Sequence, residues 1–393
     1  MPLKHRQCVL FRFFLIAFAF VWGASSLLAV APRAKKRYSS KRIVTKNLAM
    51  SVASTRTPRA VSRTRAKRIL SGPWRVPNYA VSTEGDNVDG EDLAVRRAAV
   101  DALGPLNGSV VVTDPGTGRI LTIVNQRLAF QSGYQPCSTI KVPVALAALS
   151  ESIVERETLI RVYGRTTFDL THALARSNNQ YFASLGQKLG FERVSYYVKL
   201  FGLGEKASLD IEEEQPGLLP PAPPRNGGVG MMTSFGEGIS LTPLELAALM
   251  GAVANGGTLY YLQYPKSQQE GQTLVPRVKR RLDIEQWIPE IKPGMMGAVE
   301  YGTARRAGFD PNEPIYGKTG TCTDGRSPTH LGWFGSFGEI GKNKIVVVVL
   351  LTGGHLMSGP AASGVAGQVY KNLGARNYFA QERATSPLAL IAQ

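Results

Sequence analysis

Residues 333–354 read WFGSFGEIGKNKIVVVVLLTGG, and this stretch decides the class of the fold. Two runs rich in aromatic and β-branched residues lie on either side of a polar Lys/Asn turn, which predicts two consecutive strands. Residues 109–125, SVVVTDPGTGRILTIVN, show two further β-rich runs around Asp-Pro-Gly-Thr-Gly. Because Asp, Pro and Gly are typical turn residues, a second hairpin is predicted much earlier in the chain.

Helical patterns fill the chain between these strands and flank them. An amphipathic helix is predicted over residues 91–103, helices dominate residues 139–255, and a last helix is predicted over residues 361–373. Strands that are distant in sequence, with helices between them, predict an α+β fold. We therefore expect an antiparallel sheet built from N- and C-terminal strands and packed with helices, plus an inserted, mostly helical lobe.

The net charge of the 393-residue chain is +17, and it is unevenly distributed. Residues 1–83 hold 17 of the 46 Lys and Arg residues and no acidic residue, so 29 basic and 29 acidic residues remain from Glu84 onward. The globular part of the chain is therefore neutral. This balance does not support a basic face for nucleic acid, and we expect no nucleic-acid partner.

Residues 13–31, FFLIAFAFVWGASSLLAVA, form an apolar run that would span about 28 Å as a helix, close to the thickness of a bilayer core. We favour an uncleaved membrane anchor with residues 1–12 in the cytoplasm. A cleaved signal peptide is the alternative, because Ala29-Val30-Ala31 resembles a cleavage site, although Pro32 makes a poor junction. The basic residues that follow the run favour the opposite orientation by the positive-inside tendency.

Residues 32–83 are rich in Ser, Thr, Arg and Lys and show no sustained apolar period. This composition predicts a basic, disordered linker. Acidic residues and periodic apolar patterns begin at Glu84, and residues 84–393 are predicted to form the globular domain.

Three short motifs follow one another in the globular domain: Ser138-Thr139-Ile140-Lys141, Ser177-Asn178-Asn179 and Lys318-Thr319-Gly320-Thr321. Each motif is weak evidence by itself, because such short patterns occur by chance. Their combination in this order is specific for serine acyl-transfer enzymes.

The first motif has the spacing that a serine nucleophile and its base require. Pro136 precedes Ser138 and an apolar-periodic helix follows, so Ser138 is predicted at a helix N-terminus with Lys141 one turn along the same face. A serine hydroxyl needs a neighbour that removes its proton. A lysine can do so only if desolvation or a second cation lowers its pKa, and Lys318 is the candidate for that cation.

The other two motifs are predicted to line the same site. Polar residues 177–179 interrupt a helical pattern, which predicts a local turn. Residues 317–321 indicate the start of a strand whose small residues allow close approach of backbone or ligand. No G-x-x-x-x-G-K-[ST] phosphate loop is present. The His and Cys residues fit neither a Ser-His-Asp triad nor a metal-ligand spacing, so no metal is expected.

These motifs and the segments around them resemble the penicillin-recognising serine enzymes: penicillin-binding proteins, serine β-lactamases and their sensor relatives. Residues 201–220 and 236–260 are more similar to the transpeptidase domain of penicillin-binding proteins than to β-lactamases. The resemblance implies a transpeptidase-like catalytic domain over residues 84–393 that uses no cofactor. It also implies a single-pass protein of the bacterial inner membrane with a periplasmic catalytic domain, or a secreted one if the signal is cleaved.

The resemblance implies a D-Ala-D-Ala transpeptidase or carboxypeptidase that acts on peptidoglycan stem peptides and is inhibited by β-lactams. Ser138 would attack the D-Ala-D-Ala carbonyl with Lys141 as its base. Ser177 would relay a proton to the leaving amine, and Asn179 would bind the substrate amide.

The third motif is implied to hold the substrate on the strand. Lys318 and the hydroxyls of Thr319 and Thr321 would bind the terminal carboxylate, with Gly320 between them. The N–H groups of Ser138 and Thr321 would form the oxyanion hole.

Two other functions remain open at this point. A β-lactamase would need a second base for deacylation, for which Glu212, Glu213 and Glu214 are the nearby candidates. A non-enzymatic β-lactam sensor would acylate and signal. Since no glycosyltransferase domain is recognised, we expect cell-wall synthesis partner proteins to help deliver the substrate.

Cys137 directly precedes the nucleophile and Cys322 directly follows Lys-Thr-Gly-Thr. Some class A carbapenem-hydrolysing β-lactamases have a disulfide at the matching positions, so the resemblance implies a Cys137–Cys322 bond, which an extracytoplasmic compartment permits. Closing so long a loop would contribute on the order of 4–5 kcal/mol, less any strain. The alternative is two free buried cysteines that act as small hydrophobic residues.

Overall fold

A computed structural model describes residues 76–324, 329–340, 343–375 and 378. The predicted N-terminus (1–12), the apolar segment (13–31) and the linker as far as residue 75 lie outside the described residues. Within the described ranges, no helix has both the length and the apolar character needed to cross a bilayer.

The described chain contains helices and strands in an order that places most helices between two groups of strands. The helices are α1 Leu93–Leu103, α2 Gln126–Ala129, α3 Lys141–Ser150, α4 Leu170–Ala175, α5 Asn179–Leu200, α6 Gly228–Phe235, α7 Pro243–Ala254, α8 Gln268–Gln272, α9 Ile288–Glu300 and α10 Gly359–Ala375. The strands are β1 Gly108–Thr113, β2 Ile120–Val124, β3 Ile160–Tyr163, β4 Thr166–Phe168, β5 Thr258–Tyr260, β6 Val278–Arg281, β7 Ile315–Asp324, β8 Thr329–Ile340 and β9 Asn343–Gly353.

Five strands form one antiparallel sheet in the order β2-β1-β9-β8-β7. The N-terminal hairpin β1–β2 joins the C-terminal strands through β1 and β9, where Val111 pairs with Val348. This pairing closes the sheet across the inserted lobe. The predicted α+β fold with strands from both ends of the domain is confirmed, and β7, which carries the third motif, lies at the edge of the sheet.

Both faces of the sheet are covered, which explains the uninterrupted apolar run of β9. Successive side chains of a strand point to opposite faces. Val347 and Val349 pack with α1 and α10, whereas Val346 and Val348 pack with the helical lobe. All four valines are fully buried, and each contributes about 1.5–3 kcal/mol relative to an exposed side chain.

A buried carboxylate ties the loop of the helical lobe to helix α7. Glu245 completes a capping box with Thr242 at the start of α7. Its carboxylate also accepts hydrogen bonds from the backbone N–H groups of Gly204 and Gly217 at 2.9 Å. Burial raises the pKa of Glu245 to about 7 in spite of these bonds. One side chain therefore fixes the two ends of the 204–217 segment, which lies next to the strands.

Contacts with the domain begin before Glu84, within residues that the sequence assigns to the end of the linker. Tyr79 forms a bridge with Leu106, and Asn78 Oδ1 accepts a hydrogen bond from Gly354 N at 2.7 Å. Ser82 is buried and donates to the carbonyl of Leu106. These contacts are made mainly by backbone and polar groups, so the hydrophobic pattern of the sequence did not reveal them.

Candidate active site

Ser138 lies on a 3₁₀ turn, Cys137–Ile140, that leads directly into helix α3. Cys137 adopts a left-handed conformation with φ of 51°, which turns the chain sharply before the serine. The segment is held from behind because Trp333 Nε1 of β8 donates to the carbonyl of Gln135 at 3.0 Å. Ser138 is 8% exposed, so its hydroxyl reaches a site that is largely closed to solvent.

Lys141 occupies the first position of α3, one turn beyond Ser138, and its side chain is fully buried. Its Nζ lies 2.8 Å from Ser138 Oγ and 2.6 Å from Asn179 Oδ1. It also contacts Ser177, at 3.0 Å from the carbonyl and 3.2 Å from Oγ. One lysine nitrogen thus connects the first motif to the second.

The second motif forms the turn between α4 and α5, so the predicted break in the helical pattern is confirmed. Ser177 has a left-handed φ of 55°. Asn178 caps α5, because its Oδ1 accepts from Tyr181 N at 2.8 Å. With the central residue used as the cap, Ser177 and Asn179 on either side of it both reach Lys141.

Lys318 of β7 is also fully buried, and it reaches Ser177 from the side of the sheet. Its Nζ donates to Ser177 Oγ at 2.8 Å and to the carbonyl of Thr319 at 3.0 Å. Ser177 Oγ therefore lies between the nitrogens of Lys141 and Lys318. The structure brings the three motifs into one continuous chain of contacts: Ser138, Lys141, Ser177 and Lys318.

The electrostatics of this chain favour neutral lysines. Burial, and secondly the positive charge of Lys318, hold the pKa of Lys141 well below its ordinary value. Burial lowers the pKa of Lys318 to about 7. The rings of Phe182 and Phe235 lie 5.7 and 6.0 Å from Lys141 Nζ and add to the apolar surroundings. A lysine that is deprotonated near neutral pH can act as a general base.

We expect Lys318→Met to stabilise the fold, although the variant loses the hydrogen bond to Ser177 Oγ in the site. Burial lowers the pKa of the Lys318 ammonium from 10.5 to about 7, which destabilises the folded state by on the order of a few kcal/mol when this lysine is charged. Between about pH 7 and pH 10.5 the unfolded state binds more protons than the folded state, so the stability of the wild type rises with pH. The variant should exceed the wild type by about 1–3 kcal/mol in unfolding free energy at pH 7, with the gap closing towards pH 10.5. Urea unfolding across this pH range tests this, with exposed Lys188→Met as the control; an equal or lower stability of Lys318→Met at pH 7 contradicts it.

Gly320 allows β7 to pack directly against the segment that precedes Ser138. A Cβ at this position would lie 2.9 Å from the carbonyl oxygen of Pro136 and 3.2 Å from Cys137 Cβ. Any larger residue would therefore push the strand away from Ser138. The sequence predicts that this glycine belongs to the substrate-binding motif, and the structure adds a packing requirement at the same position.

The hydroxyls of the third motif have partners that the sequence reading missed. Thr319 is almost fully buried, and its Oγ1 lies 2.6 Å from Thr303 Oγ1. Thr321 Oγ1 accepts from Gly359 N, at the start of α10, at 2.7 Å. Neither Thr303 nor Gly359 belongs to a recognisable short motif. Only the packing of α9 and α10 on β7 brings them to the site.

Cys137 and Cys322 are joined by a disulfide with a Cα–Cα distance of 5.6 Å. Cys137 is fully buried beside Ser138, whereas Cys322 is partly exposed at the far end of the third motif. The bond connects the 3₁₀ turn to β7 on the same side as Gly320. It holds the 3₁₀ turn that carries Ser138 and the edge strand β7 at a fixed spacing.

We predict that digestion of the protein under non-reducing conditions will yield a linked Cys137–Cys322 peptide in mass spectrometry. The reason is the close approach of the two segments around Gly320, which places the Cα atoms of the two cysteines 5.6 Å apart. Reduction before digestion should release both peptides, which is the internal control. Two alkylatable thiols in the folded, unreduced protein would contradict the prediction.

The three glutamates considered as a second base lie away from this chain of contacts. Glu214 is buried and accepts hydrogen bonds from the N–H groups of Ala207 and Ser208. Glu212 and Glu213 line a cleft of about 880 Å³ to which none of the motif residues contributes. In the described part of the chain, none of the three is hydrogen-bonded to Ser138 or Lys141.

The chain matches known proteins over most of the domain. Residues 108–374 match the family model of the penicillin-binding protein transpeptidase domain. Stage V sporulation protein D of Bacillus subtilis is 28% identical over 311 residues, covering 69% of this chain and 48% of the relative. Peptidoglycan D,D-transpeptidase MrdA of Haemophilus influenzae is 26% identical, covering 69% of this chain and 54% of the relative. The chain thus spans about half the length of these curated relatives.

Solved structures with similar folds include PBPA from Mycobacterium tuberculosis. The similarity has a TM-score of 0.60 at 25% identity and covers 71% of this chain and 80% of that protein. The imipenem acyl-enzyme complex of penicillin-binding protein A from the same organism gives a TM-score of 0.58 at 25% identity, covering 71% and 78%.

Proposed function

Because this chain belongs to the penicillin-binding protein transpeptidase family, we propose that it is a D-Ala-D-Ala peptidoglycan transpeptidase or carboxypeptidase that acts through a Ser138 acyl-enzyme. The resemblance inferred from its three motifs is confirmed by the family match over residues 108–374. The observation that carries the proposal is the 2.8 Å contact between Ser138 Oγ and Lys141 Nζ, made by a lysine whose pKa is lowered by burial.

Acylation begins when neutral Lys141 takes the proton of the Ser138 hydroxyl. The serine oxygen then forms a bond to the carbonyl carbon of the penultimate D-Ala, and the carbonyl electrons move onto its oxygen. Backbone N–H groups of Ser138 and Thr321 stabilise this oxyanion. When the tetrahedral species collapses, the C–N bond breaks and the amine of the terminal D-Ala leaves with a proton that Ser177 relays from Lys141.

The second half of the reaction reverses these roles. An amine of a second stem peptide attacks the acyl-enzyme in crosslinking, or water attacks it in the carboxypeptidase reaction. Lys141 removes the proton of the incoming group, and the ester bond to Ser138 breaks as Lys141 returns this proton to the serine oxygen. Because Ser177 Oγ contacts both lysines, it is suited to pass protons in either direction.

Recognition of the donor peptide rests on strand β7 in this proposal. Lys318, Thr319 and Thr321 bind the terminal carboxylate, and Asn179 binds an amide of the peptide. β7 is the edge strand of the sheet, so its outer backbone groups are available to an extended peptide, as in strand addition. The disulfide and Gly320 keep this edge at a constant distance from Ser138.

A membrane anchor and an extracytoplasmic site complete the proposal. The apolar run of residues 13–31 has the length of a spanning helix, and the basic composition of residues 32–83 predicts a tether beyond it. A disulfide next to the nucleophile is compatible with an oxidising compartment outside the cytoplasm. We propose peptidoglycan stem peptides as substrates, β-lactams as inhibitors and cell-wall synthesis proteins as partners.

The proposal is tested by incubating the full-length protein with a fluorescent penicillin and, separately, with a stem pentapeptide that ends in D-Ala-D-Ala. Stable labelling together with release of D-Ala supports it. Rapid loss of the label with accumulation of hydrolysed penicillin would make the protein a β-lactamase. Stable labelling without any D-Ala release, with or without an acceptor amine, would make it a sensor, and no labelling removes the serine acyl-transfer function.

A further inference from the structure

The two threonine hydroxyls of the third motif are each contacted from behind by a group outside the motif. Gly359 N donates to Thr321 Oγ1 at 2.7 Å. Thr303 Oγ1 lies 2.6 Å from Thr319 Oγ1. A hydroxyl carries one proton and two acceptor lone pairs. Since the backbone N–H fills an acceptor site of Thr321, the proton of that threonine remains available to a ligand.

The Thr303–Thr319 contact leaves the proton of Thr319 available to a ligand only if Thr303 is the donor. One of the two hydroxyls donates to the other. If Thr319 donates to Thr303, its own proton is used and its lone pairs would meet an approaching carboxylate, which is repulsive. If Thr303 donates, the proton of Thr319 is free to reach the anion, and the resulting O–H···O⁻ bond is a strong, charge-assisted one.

The backbone of Thr303 is held in place, which keeps its hydroxyl beside Thr319 Oγ1. Its backbone N–H donates to the carbonyl of Ala175, the last residue of α4, at 3.2 Å. A Cβ at Gly302 would lie 2.1 Å from the same carbonyl oxygen, so the chain at 302–303 packs tightly against the end of α4. Ala175 is two residues from Ser177. Thr303 therefore contacts the Ser177 wall with its backbone and the β7 wall with its side chain.

We propose that Thr303 is a positioning residue that orients the hydroxyl of Thr319 for donation to the terminal carboxylate of the substrate. The inference rests on the proposed function, because it requires that Thr319 binds a carboxylate. Thr303 acts only through Thr319. It is therefore expected to affect ligands that carry the carboxylate and to spare those that lack it.

The test compares Thr303→Val and Thr303→Ser in the full-length protein. Valine has the shape of threonine but no hydroxyl, and it keeps the backbone bond to Ala175. The probes are benzylpenicillin and its methyl ester, in which esterification removes the negative charge of the carboxylate and adds one methyl group. We expect Thr303→Val to lower the second-order acylation rate for benzylpenicillin by about tenfold, as for loss of one hydrogen bond to a charged group. With the methyl ester, Thr303→Val should react within about twofold of the rate of the wild type. Thr303→Ser, which keeps the hydroxyl, should react with benzylpenicillin at close to the wild-type rate.

The matched control is Thr273→Val, because this hydroxyl is exposed and donates only to carbonyls of its own helix. If Thr303→Val lowered the acylation rate equally for benzylpenicillin and its ester, Thr303 would have a general structural role and the inference would be overturned. A Thr303→Ser variant as slow as Thr303→Val, or a Thr303→Val variant with wild-type rates, would overturn it as well. If the wild type reacts with neither probe, the proposed function itself fails, which is a different result.

Discussion

Replacing Ser138 by alanine is expected to abolish covalent labelling of the protein by fluorescent penicillin and to lower D-Ala release by at least about 10⁴-fold, as for removal of a catalytic serine. The physical reason is that no other hydroxyl among the described residues occupies the position of Ser138 Oγ; Ser177 Oγ, which also contacts Lys141 Nζ, is bonded to Lys318 Nζ on its other side. The neighbours of Ser138 Oγ are Lys141 Nζ and the carbonyl of Ser234, and neither replaces a hydroxyl at 2.8 Å from the base. In-gel fluorescence and intact mass measure the loss.

Ser195→Ala is the matched control for this variant. Its hydroxyl is buried on α5 without a hydrogen-bond partner among the described residues, so its removal should leave folding and labelling unchanged. Labelling of Ser138→Ala at the wild-type rate would place the nucleophile elsewhere. Circular dichroism of both variants shows whether a loss of labelling reflects unfolding.

Replacing Lys141 by arginine is expected to lower the acylation rate by about 10²–10⁴-fold, the usual contribution of a general base. Arginine stays protonated at every accessible pH and so cannot accept the serine proton. In the wild type, burial and Lys318 lower the pKa of Lys141, so the neutral, active form becomes populated as the pH rises through that lowered pKa. The wild-type rate should therefore increase with pH and then level off, well before the ordinary titration range of a lysine.

This pH profile is measured as the second-order rate of penicillin acylation from pH 5 to pH 10. Lys188→Arg, on the exposed surface of α5, is the matched control and should follow the wild-type profile. A rate independent of pH, or an increase that begins only near pH 10, would contradict a lysine base with a lowered pKa. A Lys141→Arg variant with the wild-type rate would contradict it as well.

The parts of the site that the sequence predicted are those that depend on short-range spacing. Ser138 and Lys141 are three residues apart, and local helical geometry alone brings them together. The break at Ser177 follows from polar residues within an apolar pattern. The edge position of β7 is different, because it depends on which strands pair across nearly the whole domain.

The parts that the sequence did not reveal depend on long-range packing. Thr303 reaches Thr319 because α9 and the following turn pack on β7, and Gly359 reaches Thr321 because α10 begins there. The lowered pKa of Lys318 likewise follows from complete burial in the folded domain. No periodicity of the sequence reports these contacts. They become visible only when the helices are placed on the sheet.

The Cys137–Cys322 bond also determines what happens to the protein when its chain is cut. The two cysteines are 185 residues apart, and the whole helical lobe lies in the loop that they close. Cleavage at an exposed site in that loop, such as the β3–β4 hairpin where Tyr163 is 78% exposed, therefore leaves two fragments joined by one covalent bond. The fragment with the nucleophile stays attached to the fragment with the substrate-binding strand. Only reduction of the disulfide removes this covalent link between the two fragments.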